Sequence, residues 1–188
     1  MMTGFAFLLM LFAVAHDHQM HVNGSRQSSV VYTRWGRKSC SGDAKLVHSG
    51  REKKPKPYCF FQVTLEDYVH GAEYETRTSS GGLRGVHDHD APCAVCLKQQ
   101  RFVVNMFPAR KNCYRGWTLE YRGYLMAGKW NHQAATSYTC VDARPEAVHR
   151  GHENRNGYLF YHVEGLCGSL KCPPYVNGRE LACVVCSK

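Results

Sequence analysis

Cys93-Ala94-Val95-Cys96 and Cys183-Val184-Val185-Cys186 each close a frame of four cysteines, and the chain carries that frame twice. Cys40 and Cys59 precede the first pair; Cys113 and Cys140 precede the second. The neighbours of the cysteines repeat too. Arg37-Lys38-Ser39-Cys40 is echoed by Arg110-Lys111-Asn112-Cys113, Gly50 and Gly123 follow at the same distance, and Val86 and Val176 stand equally far before the CxxC pairs. A repeat of this kind indicates two homologous halves, each stapled by its own bridges.

The compartment decides what ten cysteines mean. Residues 1–15 are uncharged and apolar and end in Ala13-Val14-Ala15, a small-x-small cleavage site, so they read as a secretory signal peptide. The stretch is too short to span a membrane. Asn23-Gly24-Ser25 is a glycosylation sequon, which fits secretion. An even number of cysteines in a secreted chain predicts disulfides. The formal net charge of +9 belongs entirely to the chain beyond residue 15. Acidic glycans, anionic cell surfaces and matrix components are the expected partners, and secretion removes nucleic acid from the physiological list. The expected location is extracellular.

Local patterns favour strands. Cys59, Phe61, Val63 and Leu65 alternate with Phe60, Gln62, Thr64 and Glu66, and Trp117, Leu119 and Tyr121 alternate with Thr118, Glu120 and Arg122. Residues 29–32, 101–106, 137–141, 158–163 and 181–185 are short β-branched or aromatic runs. No helix-length segment keeps a 3.6-residue apolar period. Ser41-Gly42-Asp43, Ser80-Gly81-Gly82, Pro173-Pro174 and Asn177-Gly178 mark turns, and residues 77–85 read as an exposed flexible loop. The expected fold is all-β: a disulfide-stapled domain of two tandem β-rich halves with pseudo-two-fold symmetry. Its parts are a polar leader over 16–28, a first half over 29–106 and a second over 107–188. The second half alone contains the close pair Cys167 and Cys172, which can pin a small ring.

Val31-Tyr32-Thr33-Arg34-Trp35-Gly36-Arg37, the run from Cys113 to Met126 (CYRGWTLEYRGYLM) and the two CxVC endings carry a resemblance. Over most of residues 30–188 the chain resembles the C-terminal non-collagenous domain of type IV collagen and the secreted short-chain collagen-like proteins. Spacing alone leaves the disulfide connectivity open. The resemblance implies Cys40–Cys96, Cys59–Cys93, Cys113–Cys186, Cys140–Cys183 and Cys167–Cys172. It also implies a structural role in the matrix and homo-oligomers that exchange a hairpin. The chain departs from type IV collagen in having no Gly-X-Y tract, so it builds no triple helix.

Other constellations of chemically capable residues each have a plainer reading. The two CxxC pairs offer a four-thiolate zinc site or a redox couple, but a strand-like run does not supply the helix N-terminus that redox chemistry favours. His87-Asp88-His89-Asp90 gathers imidazoles and carboxylates suited to a metal, and a solvated turn is the simpler reading. Cleavage after Ala15 would expose His16-Asp17-His18, a square-planar copper or nickel chelator through the amine, two amides and the His18 imidazole. Arg51, Lys53, Lys54 and Lys56 form the densest basic run, able to grip sulfate groups, with Trp130 as the tryptophan expected to be exposed for stacking on sugars. Trp35 and Trp117 are expected in the core. No GxSxG, HExxH, phosphate-loop or dinucleotide signature occurs, so neither catalysis nor a cofactor is expected. Two functions follow: a self-associating extracellular-matrix module, or a basic lectin-like module that binds acidic or sulfated glycans.

Overall fold

A computed structural model describes residues 28–49, 61–64, 67–79, 81–132 and 137–188. Eleven strands occur among them. In the N-terminal part they are β1 (Ser29–Trp35), β2 (Lys45–Ser49), β3 (Phe61–Thr64), β4 (Asp67–His70), β5 (Ala72–Tyr74) and β6 (Cys93–Gln99). In the C-terminal part they are β7 (Val104–Pro108), β8 (Thr118–Ala127), β9 (Thr139–Asp142), β10 (Tyr158–His162) and β11 (Ala182–Ser187). The one helical element described is a 3₁₀ turn over Gly81–Val86. The fold is all-β.

Nine of the strands form one curled sheet, and β3 and β4 form a separate hairpin. Each CxxC lies in a strand with neighbours on both sides. β6 pairs antiparallel with β1 and β2, and β11 pairs antiparallel with β7 and β8. In the first triplet Cys96 stands opposite Tyr32 and Leu46; in the second, Cys186 stands opposite Asn105 and Leu119. The triplets are joined by β9, which runs antiparallel to β8 and meets β1 in parallel at Trp35. On the other side of β8, β10 pairs with it and carries β5 in parallel. The expected boundary between residues 106 and 107 falls inside β7, a strand held to β11.

Both triplets contain a bulge. The register between β2 and β6 shifts so that Val47 is the extra residue, and between β8 and β11 the extra residue is Glu120. This corrects the simple alternation expected over 117–122. The inserted residue turns Leu119 outward, 36% exposed, and Glu120 inward, 6% exposed. The buried Glu120 carboxylate accepts the Tyr32 hydroxyl at 3.0 Å and the Ser187 hydroxyl at 2.5 Å, which satisfies it in a low-dielectric setting.

The core draws on both the N-terminal and the C-terminal strands. Trp35, Tyr74, Leu83 and Val86 pack with Met126, Val141, Tyr158 and Phe160; Tyr32, Ala94 and Cys96 pack with Tyr121, Leu125, Cys140 and Cys183. Trp35 is buried as expected, whereas Trp117 is half-buried, edge-on to Phe107 at 5.2 Å, outside those clusters. A further correction concerns residues 77–85. Leu83 and Ser79 are fully buried, and the 3₁₀ turn carries Leu83 and Val86 into the core. Glycine and serine composition suggested an exposed loop, but two apolar side chains three residues apart fall on one side of a 3₁₀ turn.

Four disulfides lie among the described residues: Cys40–Cys96, Cys113–Cys186, Cys140–Cys183 and Cys167–Cys172. They are the pairs that the resemblance implied. Cys93 is also disulfide-bonded, and Cys59 lies outside the described residues. The first three bridges close sequence separations of 56, 73 and 43 residues. On the chain-entropy scale each stabilises the fold by about 4 kcal/mol, and the Cys167–Cys172 ring by about 2 kcal/mol.

Candidate functional site

Strand geometry sets what the CxxC pairs can do. Residues three apart on a strand face opposite sides, so Cys93 and Cys96 cannot share a metal or join one another. No described cysteine is free, so the zinc and redox readings have no thiols to work with among the described residues.

The histidine run folds back on β5. A nitrogen of His87 and oxygens of Glu75 and Asp88 lie within 4.8 Å of one another, with all three side chains partly buried. Sequence reading missed Glu75, which directly follows β5. The Thr76 N–H donates to His87 Nδ1 at 3.1 Å, leaving the ring proton on Nε2, 3.3 Å from Asp88 Oδ1. A cation on Nε2 would force that proton onto Nδ1, against the Thr76 N–H. The cluster is therefore closed by its own hydrogen bonds. His89 turns away, its Nδ1 donating to the His87 carbonyl at 2.7 Å. Asp90 faces a separate cleft of about 310 Å³ with Arg150, Glu153 and Arg155. The four residues of the motif thus do not converge.

Glu73, within β5, is buried with Oε1 unpartnered while Oε2 accepts the Arg155 N–H at 3.1 Å. Burial pushes its carboxyl above the usual range. The backbone N–H groups of Arg155 and Asn156 oppose the shift, and Asp90 and Glu75 add to it. The tyrosine hydroxyls inside the sheet shift upward for the same first reason. Burial, with the nearby Glu120 charge, takes Tyr32 to about 12 against the pull of Ser41, and Tyr74 and Tyr121 rise further.

Ser79, His162 and Glu164 form a chain resembling a catalytic relay: Ser79 Oγ lies 2.7 Å from His162 Nδ1, and His162 Nε2 lies 3.0 Å from Glu164 Oε1. The Ser79 side chain is wholly enclosed, so no substrate reaches its hydroxyl. The relay ties the 77–79 segment to β10.

Two surface features remain. The first is a cleft of about 270 Å³ where the curled sheet comes round on itself; β1 and β7 run alongside each other there but share no ladder. Val31 on β1 and Tyr138 before β9 line it, 54% and 62% exposed, together with Val104 and Met106 of β7. The second is a groove of about 850 Å³ beneath β8 and β11, bounded by the segment that carries the Cys167–Cys172 ring.

Trp130 is 92% exposed in the turn after β8, beside Lys129, whose ammonium lies 5.7 Å from the centre of the Tyr161 ring. Arg51, Lys53, Lys54, Lys56, His16, His18 and Asn23 lie outside the described residues. No helix among the described residues is long and apolar enough to cross a membrane. Searched against models of known protein families, the chain matches none.

Proposed function

We propose that this chain is a secreted, non-enzymatic extracellular-matrix module of two homologous halves, related by pseudo-two-fold symmetry, that assembles with copies of itself through the cleft between β1 and β7. The two-half reading is supported by register. Cys113 follows Cys40 by 73 residues and Cys186 follows Cys96 by 90. Moving the flanking strands by the first offset and the CxxC strand by the second turns the pair Tyr32–Cys96 into Asn105–Cys186 and Leu46–Cys96 into Leu119–Cys186. The same offset carries the bulge residue Val47 onto Glu120. Disulfides suit a chain built for an oxidising compartment.

Assembly rests on one observation, the seam. A β7 edge paired only to β11 among the described residues borders exposed Val31 and Tyr138, so hydrogen-bonding backbone and apolar surface are offered together. A strand from a second copy satisfies both. Sedimentation velocity on the protein lacking residues 1–15 is the test: a defined oligomer is expected, with Val31→Lys shifting it toward monomer. A wild-type monomer across the micromolar range sinks the proposal.

The second reading, a basic module for acidic or sulfated glycans, is favoured by Trp130. An indole this exposed next to Lys129 offers a stacking face and a cation together.

A further inference from the structure

We propose that the groove beneath β8 and β11 is the binding site for a sulfated glycan segment. This rests on the glycan reading above but not on the residues named there. The cations Lys111, Arg122 and Arg179 line the groove from three separate parts of the chain: the β7–β8 connection, β8 itself and the turn before β11. All three are exposed, and none of their side chains makes an ion pair or hydrogen bond among the described residues. Elsewhere the basic side chains are often occupied: Arg34 by Asp142, Arg37 by Glu146, Lys98 by Asp43 and Arg155 by Glu153. The three cations outnumber the two carboxylates of the lining, Glu164 and Glu180, so the concavity is net positive and favours an anion, and guanidinium forks match sulfate oxygens in pairs.

The rest of the lining selects among anions. Glu164 and Glu180 share the groove with the cations, and Asn177 adds an amide. A run of acidic peptide would bring its carboxylates against these two, whereas a sugar brings hydroxyls that donate to them while its sulfates meet the arginines. The volume of about 850 Å³ lies within the range of pockets that enclose sizeable ligands. The wall is also held in place. Asn177 Oδ1 accepts the Cys167 N–H at 3.0 Å beside the Cys167–Cys172 ring, and the Gly178 N–H donates to the Gly165 carbonyl at 2.8 Å. A groove ordered before binding loses less entropy when it fills.

The test uses the whole secreted protein and a heparin hexasaccharide, measured by calorimetry. The double variant Arg122→Ala/Arg179→Ala is compared with Lys45→Ala/Lys188→Ala, which removes the same charge from exposed positions outside the groove; unchanged thermal unfolding checks that both fold. The groove variant is expected to weaken binding about tenfold or more, through lost charge-assisted hydrogen bonds. The control should change it by less than about threefold, as diffuse charge effects do. Equal losses in the two variants, or none in the groove variant, overturn the inference while leaving glycan binding itself standing. Absence of binding by the wild type removes the glycan reading and the inference together. A glutamate-rich peptide of equal charge that binds as tightly and loses affinity by the same substitutions overturns the choice of ligand.

Discussion

Replacing Arg34 by methionine isolates a buried charge. Arg34 lies on β1 and Asp142 at the end of β9, so their pair ties the first triplet to the strand that joins it to the second. Arg34 Nε and Nη2 both donate to Asp142 Oδ2, at 2.9 and 2.6 Å, and Nη1 donates to the Ser39 carbonyl at 3.1 Å. Asp142 Oδ1 accepts the Arg144 N–H at 2.9 Å. The side chains are only 10% and 6% exposed. Methionine fills most of the volume but leaves the Asp142 carboxylate with a single backbone donor away from water. Breaking such a pair costs about 3–5 kcal/mol, where an exposed pair such as Arg155–Glu153 contributes about 0–1 kcal/mol. For a domain of this size that amounts to a fall in Tm of about 6–20 °C. Thermal and guanidinium unfolding, with the disulfides kept intact, measures it. Because the pair is shielded, the deficit should persist in high salt. Arg34→Met/Asp142→Leu should recover most of it, since no buried charge is then left unpaired. A loss below about 1 kcal/mol, or a deficit that salt erases, would refute the assignment of a shielded, coupled pair.

Gly123→Ala should disrupt the junction of β8 and β9. An added Cβ would sit 1.7 Å from the Val141 carbonyl oxygen, and backbone cannot move aside as a flexible side chain does. A cost of about 3 kcal/mol or more is expected, read as loss of folded yield and lowered Tm; a wild-type Tm would refute it. Glu73→Gln should alter the pH dependence of stability. A carboxyl raised by burial contributes stability that is present below its unfolded value, about 4.3, and lost as pH rises through its folded value. The variant should therefore compare better with wild type at pH 7 than at pH 4, and an identical difference at both would contradict the shift.

The sequence exposed the parts of this fold that depend on local pattern. Residues 158–163 and 181–185 announced β10 and β11 because β-branched and aromatic residues cluster there, and the repeated CxVC endings located the two central strands. A bulge is invisible to period-two reading: the inserted Glu120 breaks the alternation, so Leu119 and Glu120 take faces opposite to those expected while Tyr121 and Arg122 beyond it keep theirs. β5, only Ala72–Tyr74, is buried on all three residues because β10 and the segment through Asp90 cover it, and nothing in three residues signals that. The groove was hidden for a related reason. Arg122 was legible as an outward residue, but Lys111, Arg122 and Arg179 share no motif and meet only through strand pairing.

The shared interior has a consequence for how the chain is made. Trp35, Tyr74 and Leu83 share one cluster with Met126, Val141 and Phe160, so that cluster stays incomplete until the later residues are made. At a synthesis rate of roughly 5–20 residues per second, Phe160 follows Cys96 by about 3–13 s. For that interval the first triplet, with all its cysteines already made, has an apolar face and nothing to cover it. Holding factors and thiol oxidants have their best access then, and pairing errors are most costly. A fragment ended before β7 would keep that face bare, because the residues that complete the cluster all lie beyond it.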